Sequence, residues 1–270
     1  MPLGKCPLCL RDNQELQDSH YLPKRAYKLF RAETLKNPNP ITVISDVMRQ
    51  TSLQVHDFVF CWDCEQLLSR SGEEWVIPQL ANQNGFPLLT TLRSAIPTKI
   101  DDDLKVYNSA GISGIDCEKL AHFAVGMFWK GHAHEWRGCE RLNLGSYGEQ
   151  VRKFLRAEES FPENMALIIM VADTLEPPWF GRLPNLVERQ PFHLLSFYLS
   201  GINFCLAVGK DIPIYMRETC FCRNSARQIL AAQHLGTDEI KRMAKMVHKS
   251  RPSQKLTAFL KGPNPRKKKP

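Results

Sequence analysis

CPLCLRDNQELQDSHYLPKRAYK, residues 6–28, decides how the first third of this chain is read. Cys6 and Cys9 form a close pair, and residues 15–22 then read as a short strand carrying His20. Pro23 stands where a fixed φ opens a helix, predicted over residues 24–31, and the Asn-Pro-Asn-Pro of residues 37–40 breaks it. A second pair, Cys61 and Cys64, follows after 51 intervening residues. Just before it, residues 54–60 alternate like a half-buried strand. Val55, Asp57 and Val59 fall on one face and His56, Phe58 and Phe60 on the other. A helix is predicted to begin at the second pair, within residues 61–80, and Gly72 and Pro78 leave its bend and its end open.

Two C-x-x-C pairs supply four soft thiolates, and each pair can form a knuckle whose sulfurs converge at zinc's bond length of roughly 2.3 Å. Cys6, Cys9, Cys61 and Cys64 are therefore expected to bind one zinc ion. The role is structural, because a closed tetrathiolate leaves no coordination position for chemistry. The gap between the pairs exceeds that of a compact zinc ribbon, so it must hold secondary structure of its own.

This order (C-x-x-C, strand with a histidine, second strand, C-x-x-C, helix) resembles the HNH endonuclease family, in particular members whose ββα-metal core is pinned by a four-cysteine zinc knuckle. The resemblance covers about residues 1–80. It implies that His20, in Ser19-His-Tyr-Leu-Pro23, is the general base that takes a proton from the attacking water. The family commonly has Asn about five residues before the second pair, where His56 stands here, and a metal-binding His directly after the last cysteine, where Glu65 stands. A metal-binding Asp, Glu or His usually precedes the base, whereas this chain has Ser19, with Asp18 nearby. The implied catalytic set is His20, His56 and Glu65, with Asp18 and Glu65 as ligands of a Mg²⁺ or Mn²⁺ ion. Lys24 and Arg25 would hold a flanking phosphate of a nucleic acid, DNA being the expected form. The alternative is a module in which Ser19, His56 and Glu65 have cost the core its catalysis, leaving a zinc-bound unit that binds nucleic acid or a protein.

The remaining sequence reads as a larger mixed α+β region over residues 82–249, joined through the turn-rich residues 82–89. Leu120, Phe123, Ala124, Met127 and Phe128 repeat at helical spacing. Residues 147–158 suggest a second helix, and residues 165–172 a buried strand. Residues 192–209 read as two strands joined at Ser200-Gly201, and residues 237–248 as a last helix. Cys220 and Cys222 read as alternating strand positions. His132 and His134 read as part of a polar loop, Glu73 and Glu74 as a solvated face, and most of the five tryptophans as core or rim. The fold class expected is α+β, with a domain at 1–81, a second at 82–249 and a basic tail at 250–270.

Composition constrains function less than the net charge of +8 suggests. Of the 36 Lys and Arg, 11 lie in residues 241–270 with no acid among them, so the first 240 residues carry 25 basic against 28 acidic groups. Basicity belongs to the C-terminal segment, which suits phosphate and solvent equally. The longest apolar run, residues 165–172, is too short to span a bilayer, and MPLGKCPLC lacks the apolar core of a secretory signal. Nine cysteines without such a signal point to a reducing, cytoplasmic setting and against a full disulfide framework.

Overall fold

The computed structural model describes residues 1–31, 39–44, 47–177, 179–254 and 256–257. The chain opens with β1 (Leu3–Gly4), β2 (Gln14–His20), α1 (Lys24–Leu29), β3 (Ile41–Ile44), β4 (Val47–Gln50) and β5 (His56–Cys61). From Cys61 it enters α2 (Trp62–Leu68), a π-helical turn (Ser69–Glu73) and α3 (Glu74–Gln79). Strands β1, β2 and β5 form a small antiparallel sheet in that order, with His20 opposite His56 and Asp18 opposite Phe58. Pro23 precedes α1 as expected, and Pro78 falls in the last turn of α3. Residues 37 and 38 of the predicted helix break lie outside the described residues.

The rest of the chain comprises α4 (Pro87–Arg93), β6 (Lys99–Asp101), β7 (Leu104–Asn108), α5 (Cys117–Ala133), α6 (Tyr147–Leu155) and β8 (Met165–Ala172). There follow β9 (Gly181–Glu188), β10 (His193–Leu199), β11 (Ile202–Val208), α7 (Ile214–Glu218), β12 (Gln228–Ala232), α8 (Leu235–Lys249) and β13 (Arg251–Pro252). Strands β6 to β12 build one seven-stranded sheet in the order β6-β7-β12-β8-β11-β10-β9. Every pair in it is antiparallel except β12 with β8. The fold is α+β, as the sequence predicts.

Helix α5 joins the two halves. Asp116 caps it by accepting from the Lys119 amide at 3.0 Å, and nearly its whole circumference is buried. On one side Phe123 meets Phe197 and Phe204 of the large sheet edge-on, at 6.2 and 5.9 Å between ring centroids. On the other side the π-turn lies so close that a Cβ on Gly72 would stand 2.9 Å from the Phe123 Cα. One hydrophobic cluster runs from Cys6 to Ala231. The division expected at residue 81 thus falls inside a shared core, and the Ala81 amide donates to the Ser200 carbonyl at 3.0 Å.

Two further differences concern the C-terminal half. Residues 220–223 form a turn closed by the Asn224 amide on the Cys220 carbonyl at 2.9 Å, so Cys220 and Cys222 are not on a strand. The segment expected to be a tail begins with β13, which pairs parallel to β4 in the small β3-β4 ribbon. Residues 255 and 258–270, most of that basic tail, lie outside the described residues. Among the described residues no helix is long and apolar enough to cross a membrane.

Candidate functional site

The four cysteines come together as their spacing predicts. Cys6 and Cys9 flank a tight turn after β1, in which the Leu10 amide donates to the Cys6 carbonyl at 2.8 Å. Leu10 takes a left-handed φ of 62°, which an ordinary side chain adopts at a cost, to bring both sulfurs inward. Cys61 ends β5 and Cys64 lies in the first turn of α2. The four sulfurs lie within 4.8 Å of one another, so the group could hold a metal ion such as zinc. Cys9 Sγ and Cys61 Sγ are 3.8 Å apart. A tetrahedral ion with bonds of roughly 2.3 Å sets its sulfurs about 3.8 Å apart. The surroundings suit anionic sulfur: the Cys61 amide approaches Cys6 Sγ at 3.5 Å, and the Arg11 guanidinium lies 3.3 Å from Cys9 Sγ and 3.7 Å from Cys61 Sγ. A hydrogen bond from Cys64 holds the Cys6 thiol down at about 4, and the same bond pushes Cys64 upward.

The two strands above this cluster present two different faces. Asp18, His20, His56 and Phe58 occupy the outer one, because alternate residues of a strand share a side and the register sets these four opposite one another. His56 Nδ1 lies 2.5 Å from Asp18 Oδ1, and the His20 and His56 rings stack at 5.4 Å. Burial lowers the His20 pKa; His56 and Lys24 add to that, while Asp18 opposes it. His20 is thus neutral near pH 7. Lys24 and Arg25 are exposed at the start of α1, and Phe58 is 44% exposed.

Ser19 points the other way and is fully buried. Its hydroxyl accepts from the Phe60 amide at 3.1 Å and donates to the Gln17 carbonyl at 3.2 Å. Glu65 lies on this inner side, where burial raises its pKa against the opposing influence of Lys130 and the Ser19 hydroxyl. Glu65 Oε1 is buried without a hydrogen-bond partner among the described residues. The nearby cation is Lys130 of α5, 3% exposed, whose ammonium lies 2.6 Å from Glu73 Oε1 and 3.3 Å from the His20 carbonyl.

The structure therefore brings Asp18, His20 and His56 together and sets Glu65 apart from them, across the strand. Glu65 lies instead beside Ser19 and Lys130 on the buried side. Strand alternation turns Ser19, not His20, toward α2. Among the described residues the cysteines are the only group of three or more His, Cys, Asp or Glu with metal-ligand spacing. Asp18 and Glu65 belong to no such group among the described residues. Sequence reasoning also missed two members of the inner face. Glu73 was read as solvated, yet the π-turn carries it inward, and Lys130 carried no signal beyond its place on the helix that Leu120 to Phe128 announce. His134 instead pairs with Asp57 at 3.0 Å, and His132 Nδ1 accepts from the Leu144 amide at 3.3 Å.

Comparison with protein-family models, with curated proteins and with solved structures finds no match to this chain.

Proposed function

We propose that the N-terminal part of this chain is a zinc-pinned ββα module of HNH type that binds nucleic acid without cutting it, its catalytic metal position having passed to a lysine. One observation carries this reading. Ser19 and Glu65, the two positions where such a core would hold its ion, face the interior, and the Lys130 ammonium lies on that same side, bonded to Glu73 and to the His20 carbonyl. A buried ammonium supplies the positive charge that Glu65 and Glu73 require. It offers no exchangeable position to water or phosphate. Exposed groups of this part suit contact with a nucleic acid: Lys24 and Arg25 at the start of α1 offer phosphate contacts, and Phe58 on the outer face and Trp62 at the start of α2, 61% exposed, offer stacking surfaces.

A second reading rests on the outer face itself. Asp18, His20 and His56 form a compact, solvent-reachable group, and a neutral His20 is the form a general base requires. In that reading the chain is an endonuclease whose reacting groups have moved across the strand.

One assay separates the two. The full chain is incubated with supercoiled plasmid and Mg²⁺ or Mn²⁺, and both nicking and mobility are followed. The first reading expects a mobility shift without nicking, weakened by Lys24→Ala with Arg25→Ala and relieved by salt. Nicking that falls by roughly 10²–10⁴-fold on His20→Ala would establish the second reading. Neither a shift nor nicking would reject nucleic acid as the partner.

A further inference from the structure

A groove of about 760 Å³ has none of the four cysteines, and neither His20 nor His56, in its lining. Its walls are the π-turn, the first two turns of α5 and the loop that follows α6. It is open to solvent, and its volume is within the range of small-molecule sites. Two backbone irregularities frame it. The π-turn interrupts what would otherwise run as one helix from Trp62 to Gln79, and such turns recur at functional sites. Across the groove Ala157 holds a left-handed φ of 56°. The π-turn and α5 hold each other in place, because Gly72 in the π-turn packs directly on the α5 backbone at Phe123.

The charges of the groove are unevenly satisfied. Each acidic side chain already has its cation. Glu118 pairs with Arg227, Glu158 with Arg156 at 2.5 Å and Arg152 at 3.2 Å, and Glu159 with Lys153 at 2.6 Å. Asp116 accepts from the Lys119 amide and lies 3.7 Å from its ammonium. Arg70, exposed on the π-turn, has no hydrogen-bond or ion-pair partner among the described residues. Ser71 beside it and Ser160 opposite add hydroxyls, and Phe154 with Ala157 forms an apolar wall. His122 lines the groove as well, its Nε2 held 3.0 Å from the Leu155 carbonyl. A planar guanidinium without a partner is the residue type best suited to grip a carboxylate or phosphate with two parallel bonds.

We propose that this groove is a binding site for a small organic anion, a carboxylate or phosphate ester carrying a compact apolar group, with Arg70 gripping the anion and Phe154 covering the apolar part. The site is independent of whether the N-terminal module binds or cuts nucleic acid.

The test titrates the full chain with phenyl phosphate, benzoate, inorganic phosphate and phenol at low salt, reading heat and the ¹⁵N shifts of the His122 ring. Saturable binding of phenyl phosphate or benzoate at one per chain is expected, with a dissociation constant below about 1 mM. The stronger of the two tells phosphate ester from carboxylate. Phenol, lacking the charge, is expected not to saturate, and inorganic phosphate, lacking the ring, to bind more weakly. Arg70→Ala is expected to weaken binding at least about tenfold and Arg70→Lys by less, since a lysine keeps the charge but not the fork. Lys99→Ala, on the edge strand β6, should leave it unchanged. Absence of saturation by both organic anions, or equal affinity in Arg70→Ala, overturns the proposal. Arg70 is exposed and unpaired, so its loss leaves the fold intact and the result readable.

Discussion

Strands β2 and β5 carry two faces made from alternate residues of the same short stretches, and the faces obey different electrostatics. Outside, Asp18 and His56 pair with about half of each side chain in water. Inside, Lys130 and Glu73 pair with 3% and 20% exposed, and Glu65 shares their surroundings. Water screens the outer pair, so its geometry can be good and its energy small. The inner group has no such solvent, so each charge needs a fixed counter-charge and removal of one strands the others. Identity of residue type is a poor guide here. The carboxylate of Asp18 stands half in water beside His56, whereas that of Glu65 is held by the interior.

The largest effect expected is at the cysteine cluster, which supports both faces at once. Cys61→Ser, or a strong chelator, should remove the metal and with it a binding free energy on the order of 10 kcal/mol that is spent on folding. Metal content by mass spectrometry and hydrogen exchange would follow it. Amides of β1, β2 and β5 should lose protection, while β12, β8 and β11, which form the middle of the large sheet, retain theirs. Unchanged exchange after complete chelation would mean that the shared hydrophobic core alone holds the hairpin, and that the two faces do not depend on the cluster.

Next in size is the inner face. Lys130→Met should destabilise the chain by about 3–5 kcal/mol in denaturant unfolding, because Glu65 and Glu73 then lie buried without a cation. Adding Glu65→Gln and Glu73→Gln to that variant should recover much of the loss, a non-additivity that distant sites do not show. The pH dependence follows from Glu65. Burial raises its folded pKa above the unfolded one, so the stability it contributes is present below the unfolded value and is lost as pH rises through the folded value. Lys130→Met should therefore be least harmful in mild acid and most harmful at neutral pH. A loss independent of pH would show that the lysine's aliphatic packing, not its charge, is what matters.

How much of this was legible follows from which forces are local. The cysteine pairs could be read because each is confined to four residues, and the closing geometry is a property of sulfur and metal. Strand β8 and the turn between β10 and β11 could be read for the same reason. Residues 165–172 are apolar without interruption, and Ser200 and Gly201, with φ of 35° and 93°, suit a tight hairpin. Lys130 and Glu73 could not, since 57 residues separate them and a lysine on a helix reads as solvated until its neighbours are known. The π-turn hid Glu73 further, because its extra residue rotates the helix out of the regular 3.6 period. Glu65 was misplaced for a different reason. Its position after Cys64 matched a metal-binding position in the resemblance, but the alternation along β2 turns Ser19, not His20, toward it.

The smallest expected effect is on the outer face, and it is the sharpest check of the contrast. His56→Ala removes both the contact with Asp18 and the stacking on His20, yet should cost less than about 1 kcal/mol in denaturant unfolding. Its partner Asp18 remains in water and needs no replacement cation, unlike Glu73 after loss of Lys130. Raising the salt concentration should shrink even this difference, because exposed charges are screened over about 10 Å at 0.1 M. A loss of several kcal/mol from His56→Ala would mean that the outer groups are held as firmly as the inner ones. Binding or catalysis at Asp18, His20 and His56 would then begin from a rigid, prepaired arrangement rather than a surface that adjusts to what it meets.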